Sequence, residues 1–153
     1  MPTDCSNDYE YEYLIAGEAV LRFALSIGID DHQYLSRLRA PDASGVSAPP
    51  TFYLTLAMES GRLVPRRQLG QDGLPLAEGI EGVRVTAGET SVELHEPIRV
   101  GDSIRVTQRQ VSADEKHGKS GPFVLQRMAR EYVRQDGVLV VSEQYTRILR
   151  GDA

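Results

Sequence analysis

A single cysteine, Cys5, occurs in the 153 residues, so an internal disulfide is excluded and a reducing compartment is expected. It lies in a polar N-terminal stretch and reads as an incidental thiol rather than a nucleophile. No apolar run approaches the ~18 residues of a membrane-spanning helix, and no basic, apolar leader opens the chain. A cytoplasmic protein without a membrane partner is expected. Positive charge is also short: 17 Lys and Arg against 22 Asp and Glu give a formal net charge of −5, which argues against nucleic acid as the partner. The shortage is local. Residues 1–82 hold 6 basic and 12 acidic side chains, and residues 83–153 hold 11 and 10, so only the second part suits a polyphosphate.

What is present is one ordinary domain. Apolar residues at 41% and charged residues at 25% are the proportions of a globular chain, long enough for a core that needs no cross-links. Residues 1–8 read as a flexible tail and residues 9–150 as the domain. Strict alternation in Tyr9-Glu10-Tyr11-Glu12-Tyr13 predicts a short half-buried strand. Val20, Phe23, Ala24 and Ile27 recur at i, i+3, i+4 and i+7, which predicts an amphipathic helix over 17–27 with Gly28 as its stop. Turn formers dominate 29–48, with room for one helical turn around Gln33–Leu38.

The most informative stretch is Gly45–Glu59. Pro49-Pro50 reads as a helix entrance, because proline's missing N–H has no partner at that position anyway. The residues that follow, Phe52, Leu54, Leu56, Ala57 and Met58, point to more than one side, which predicts a helix buried nearly all round. An irregular, mobile connection is expected over 59–78. Four strands are then predicted, over 83–94, 102–113, 123–134 and 138–149, the last two joined by the hairpin signal Asp136-Gly137. Tight connections predict an antiparallel meander, with a bulge near Gln108–Gln110 where the alternation slips. The fold class is α+β: a central buried helix wrapped by one curved antiparallel sheet, the hot-dog arrangement.

At this point a resemblance becomes specific. Ala48-Pro49-Pro50-Thr51-Phe52 is similar to the helix-entry motif of the MaoC-like dehydratase N-terminal domain family. The preceding Phe23-Ala24-Leu25-Ser26-Ile27-Gly28 matches the family's first helix. Further matches are Glu96–Asp102, Lys119–Phe123 and Arg134–Gly137. The likeness implies hydration or dehydration at the α,β-bond of an acyl thioester, with coenzyme A or acyl carrier protein as part of the substrate and no other cofactor. It also implies paired hot-dogs. Such chemistry needs a base or water-orienting pair at the reacting carbons and stabilisation of the enolate-like oxygen. The helix entrance at Pro50, Thr51 and Phe52, with Tyr34, is the substrate-binding candidate the resemblance points to.

The chain departs from the family where it matters most. In a pattern like G-D-x-N-P-x-H, with Gly28 on the glycine, Ile29 occupies the Asp place and Tyr34 the His place. Ile29 cannot ionise, and a tyrosine with an ordinary pKa near ~10 is a poor base at neutral pH. Asp30-Asp31-His32-Gln33-Tyr34 instead resembles the substrate-binding subunit of heterodimeric (3R)-hydroxyacyl-acyl carrier protein dehydratases. The resemblance therefore implies no catalytic residues here, a fatty-acyl tunnel completed for a catalytic MaoC-like partner, and a heterodimer, a dimer of heterodimers or a homodimer.

Other candidates read as ordinary residues. His32 beside Asp30 and Asp31 imitates an acid–base cluster, but neighbouring loop side chains splay into solvent. His95, near Glu93 and Glu96, lacks a second ligand at recognisable metal-site spacing. His117 sits in a polar turn. Arg127, Arg130 and Arg134, with Lys116 and Lys119, offer a patch for phosphates or a carrier protein, against the plainer reading of solvated strand residues. Two further functions stay open. A thioesterase on the same fold would use Glu59, the carboxylate at the far end of the central helix. A non-enzymatic module would bind an acyl thioester or lipid without turnover.

Overall fold

A computed structural model describes residues 8–77, 79–80 and 82–151. Cys5 and nearly all of the expected tail lie outside the described residues; Asp8 accepts a hydrogen bond from the Gln110 N–H at 2.7 Å. The elements are β1 (Tyr9–Leu14), α1 (Gly17–Ser26), α2 (His32–Arg39), α3 (Tyr53–Met58), β2 (Arg84–Leu94), β3 (Ser103–Gly118), β4 (Gly121–Arg134) and β5 (Leu139–Arg150). Among the described residues no helix is long and apolar enough to cross a membrane.

The single turn expected near Gln33 is a two-turn helix. Asp31 caps it, its carboxylate accepting from the Tyr34 N–H at 3.0 Å, and Leu35 and Leu38 go into the core. The bulge is present one residue on: the β3–β4 register slips between Gln110 and Ser112, which leaves Val111 turned outward. Strand β3 runs to Gly118 and β4 starts at Gly121, so the expected loop over 116–122 is mostly ladder, with Lys119-Ser120 at its tip.

The meander is incomplete. All pairings are antiparallel, in the order β1-β3-β4-β5-β2, so β2 lies against β5 and never against β3. The cause is the 95–102 connection, which runs past the end of the sheet instead of turning back on β2. It pairs with the helix-entry loop: Ala48 N–H donates to the Ile98 carbonyl at 2.7 Å and Val100 N–H to the Val46 carbonyl at 2.9 Å.

A tight turn at Pro50–Phe52, α3, and a second tight turn at Glu59–Arg62 make one short rod over the concave face. Phe52, Tyr53, Leu56 and Ala57 are buried beneath it. Burial all round does not hold: Leu54 is 46% exposed and Met58 49%. A sheet covers only the side of a rod that faces it, and residues four apart share the opposite side.

The inner face of the sheet is layered by register. Tyr11, Val106, Tyr132, Val141 and Leu94 form one lateral row under the rod. The next row, Tyr9, Gln108, Arg130, Glu143 and Val92, is largely polar. Beyond it a second apolar cluster joins Val85, Val124 and Leu149 to Leu76, Ala77 and Ile80 of the connection. That connection is anchored. Arg147, 1% exposed, donates to the Pro75 carbonyl and pairs with Asp72 at 2.8 Å. The approach is so close that a Cβ on Gly70 would stand 2.5 Å from Asp72 Oδ1 and 2.7 Å from Arg147 Nη2.

Candidate functional site

The site is built where the helix-entry loop meets α2 and the 95–102 connection. Ser47 is its hinge point: it bridges to Arg99, whose guanidinium donates to Ser47 Oγ at 2.9 Å and to the Gly45 carbonyl at 3.1 Å. Tyr34 reaches the same residue from α2, its hydroxyl donating to the Ser47 carbonyl at 2.7 Å. Burial raises the Tyr34 pKa above the ordinary tyrosine value, with Arg37 opposing. A phenol already committed as a donor and harder to ionise than usual is suited to holding the loop and poorly suited to accepting a proton.

Ile29 is half-buried and packs against the main core. Asp31 is spent on capping α2, and Asp30 and His32 are exposed. The motif segment thus folds as a helix start with an apolar anchor, and it brings no carboxylate to an imidazole.

Pro50 and Thr51 are exposed at the entrance, whereas Phe52 is wholly buried, edge-to-face against Phe23 with ring centroids 5.5 Å apart. The Phe52 N–H is taken by the Pro49 carbonyl at 2.9 Å. Beside the entrance lies a cleft of about 220 Å³, lined by Pro49, Pro50, Leu94, His95, Ile98 and Val141 among others. Apolar walls with one or two polar tips are the usual make-up of a small-molecule site. Here the tip is His95, whose Nε2 lies 2.9 Å from Ser142 Oγ and 3.9 Å from Glu93 Oε2. Both contacts use one ring nitrogen, so no relay from carboxylate through imidazole to hydroxyl exists. Among the described residues no three His, Cys, Asp or Glu side chains converge as metal ligands.

The basic patch is overturned. Arg130 is 2% exposed and pairs with Glu143 at 2.8 Å inside the sheet. Arg127 is held by Asp114 and Arg134 by Asp136; Lys116 and Lys119 are exposed, Lys116 in the ladder opposite Phe123 and Lys119 at the hairpin tip. The Arg130 guanidinium also donates to Gln108 Oε1 and Tyr145, both at 2.8–2.9 Å, and Tyr132 donates to Glu143 at 2.9 Å. Burial opposes the Arg130 charge, but Tyr132, Tyr145, Tyr9 and Glu143 outweigh it and raise its pKa. The signal for this was in the alternation: Val124, Met128 and Tyr132 share the face of Arg130, and Val141, Tyr145 and Leu149 that of Glu143 and Arg147. Glu59, the thioesterase candidate, is paired with Arg62 at 3.1 Å at the far end of α3.

The model of the FAS1-like dehydratase domain region matches residues 7–143. The chain belongs to that dehydratase family. Its fold is the MaoC-like hot-dog, as solved structures bear out. It matches the C-terminally truncated HadBC (3R)-hydroxyacyl-ACP dehydratase complex of Mycobacterium tuberculosis with a TM-score of 0.63 and 19% identity, over 97% of this chain and 99% of that one. A MaoC-like dehydratase of Rhodospirillum rubrum gives 0.62 and 19%, over 97% and 94%. An R-hydratase of Pseudomonas aeruginosa gives 0.61 and 16%, over 97% and 83%. No curated protein matches in sequence. At such identities the structural likeness speaks for the fold alone.

Proposed function

We propose that this family member is the non-catalytic, acyl-chain-binding subunit of a hot-dog hydro-lyase acting on the α,β-bond of an acyl thioester. One observation carries the reading: at the two positions where the resemblance requires an ionising pair, the chain holds Ile29, packed into the core, and Tyr34, hydrogen-bonded to the Ser47 carbonyl. Neither accepts a proton at neutral pH. In this reading Pro50 and Thr51 border the acyl chain at the mouth of the cleft, Phe52 supports them from below, and Tyr34 fixes the loop that carries them. Coenzyme A or acyl carrier protein enters as the handle of the substrate. A catalytic MaoC-like subunit supplies the acid–base pair.

The exposed Leu54 and Met58 on the central rod support a partner, because a second hot-dog would cover what one sheet leaves bare. The deciding assay is hydration of a crotonyl-type thioester by the purified chain, alone and with a catalytic MaoC-like subunit. No turnover alone and turnover in the mixture is the expected result; robust turnover by the single chain would refute the reading.

A further inference from the structure

The outer face of the sheet ends in a row whose only charges are positive. Arg84 of β2 lies directly opposite Arg150 of β5, and Lys116 of β3 opposite Phe123 of β4. The two pairs adjoin: Val124 and Leu149 are partners one residue inward, and the Arg150 guanidinium stands over the Phe123 ring, 5.5 Å from its centroid. All four side chains face away from the core, since Val85, Val124 and Leu149 beside them point into the second apolar cluster. The row therefore runs Lys116, Phe123, Arg150, Arg84 across four strands, a span of about 15 Å at ~4.8 Å per strand.

Like charges directly opposite on paired strands repel. Among the described residues, no carboxylate lies within ion-pair distance of Lys116, Arg84 or Arg150. The neighbouring outward row is Asp114, Leu125, Ile148 and Thr86, and its one carboxylate is held by Arg127 at 2.8 Å. Beyond the row, the exposed hairpin tip adds Lys119. A chain with a net charge of −5 thus gathers unpaired cations at one end of its sheet.

Two guanidiniums in register offer adjacent donor forks, the arrangement that a tetrahedral oxyanion accepts through several charge-assisted hydrogen bonds. An anion between Arg84 and Arg150 turns their repulsion into attraction. Lys116 stands two strands beyond Arg150, too far along the row for the same small anion, so a longer ligand is needed to use all three cations.

We infer that this row binds a ligand carrying two or more linked phosphate groups. The site is separate from the entrance cleft. Phe123 and Tyr132 are nine residues apart on β4, about 30 Å of strand at ~3.3 Å per residue, and their side chains leave opposite faces. The inference goes beyond the functional reading above and stands whether or not the lone chain turns over a thioester.

Isothermal titration calorimetry of the full chain in low-salt buffer decides it, with orthophosphate, pyrophosphate, tripolyphosphate and ATP as probes. Pyrophosphate and tripolyphosphate should bind one to one and weaken as salt rises, with orthophosphate about tenfold or more weaker. R84Q/R150Q should lose about tenfold or more in tripolyphosphate affinity. R66Q/R67Q, the same charge change at an exposed pair elsewhere, should stay within about twofold of wild type. ATP equal to tripolyphosphate assigns the site to phosphates alone; tighter ATP assigns it to a nucleotide. Tripolyphosphate should raise the melting temperature of wild type, and R84Q without anion should melt no lower than wild type, because it relieves repulsion. Absence of binding by either linked phosphate at millimolar concentration would overturn the proposal. So would equal losses in the two double variants, or an R84Q protein clearly less stable than wild type in anion-free buffer.

Discussion

Arg130 Nη1 lies 2.8 Å from Glu143 Oε2 across the β4–β5 pair, with 2% and 6% of the two side chains exposed. An ion pair this deep has lost most of its hydration, and its geometry must compensate through further hydrogen bonds. Gln108, Tyr132 and Tyr145 provide them. The result is a polar belt between two apolar clusters, on a face that in a simple sheet would be apolar throughout.

Arg130→Met should therefore destabilise the fold by about 3–5 kcal/mol, because it strands a buried carboxylate. The double change Arg130→Met/Glu143→Leu should recover most of that loss, since both charges leave together. Urea unfolding of the three proteins measures the difference. A double variant as unstable as the single one would show that the belt acts by packing rather than charge.

Arg147 fastens the connection between the central rod and β2. Arg147→Met removes its contacts with Asp72 and the Pro75 carbonyl, so proteolytic cutting within 66–77 should become much faster while cutting elsewhere stays slow. Gly70→Ala should act in the same direction, because its Cβ has no room beside Asp72 and Arg147. Timed limited proteolysis with mass spectrometry locates the cuts.

Tyr34→Phe removes one side chain-to-backbone hydrogen bond, a loss of about 0.5–1.5 kcal/mol. Turnover by the assembled enzyme should persist, with the change falling on KM as the entrance loop loosens. Loss of kcat with KM unchanged would instead mark Tyr34 as a participant in the chemistry.

Tyr11, Tyr13, Tyr34, Tyr53, Tyr132 and Tyr145 all have raised pKa values, burial being the largest cause for each. A raised folded-state pKa means the folded chain holds its protons more tightly than the unfolded one. The stabilisation is complete below the ordinary tyrosine value of about 10 and is lost as pH rises beyond it. Tyrosinate absorbance should thus rise mostly in step with loss of circular dichroism. Ionisation of most tyrosines in a still-folded protein would contradict this.

Leu54→Glu/Met58→Glu should leave the stability of the single chain within about 0.5 kcal/mol, because both side chains are half exposed. The same change should abolish activity reconstituted with a catalytic subunit. Thermal denaturation and copurification separate the two effects.

Local pattern carried much of this. The alternation in Tyr9–Tyr13, the i, i+3, i+4, i+7 stripe of α1 and Asp136-Gly137 each rest on a few neighbouring residues, and each element formed where its pattern lay. That Ile29 and Tyr34 stand where the resemblance implies an ionising pair was likewise legible, since a side chain's ionising chemistry is fixed by its type.

Long-range partners were a different matter. Whether Arg130 meets solvent or Glu143, whether the 59–78 stretch is free or tied to Arg147, and whether β2 lies against β3 or β5 depend on residues 13 to 75 positions away. Composition and spacing determined a helix-over-sheet domain, and the resemblance of its motifs implied the dehydratase family. Only the register of the folded sheet decided which charges it buries and which edge it leaves open, because register sets at once which side chains share a row and which face water.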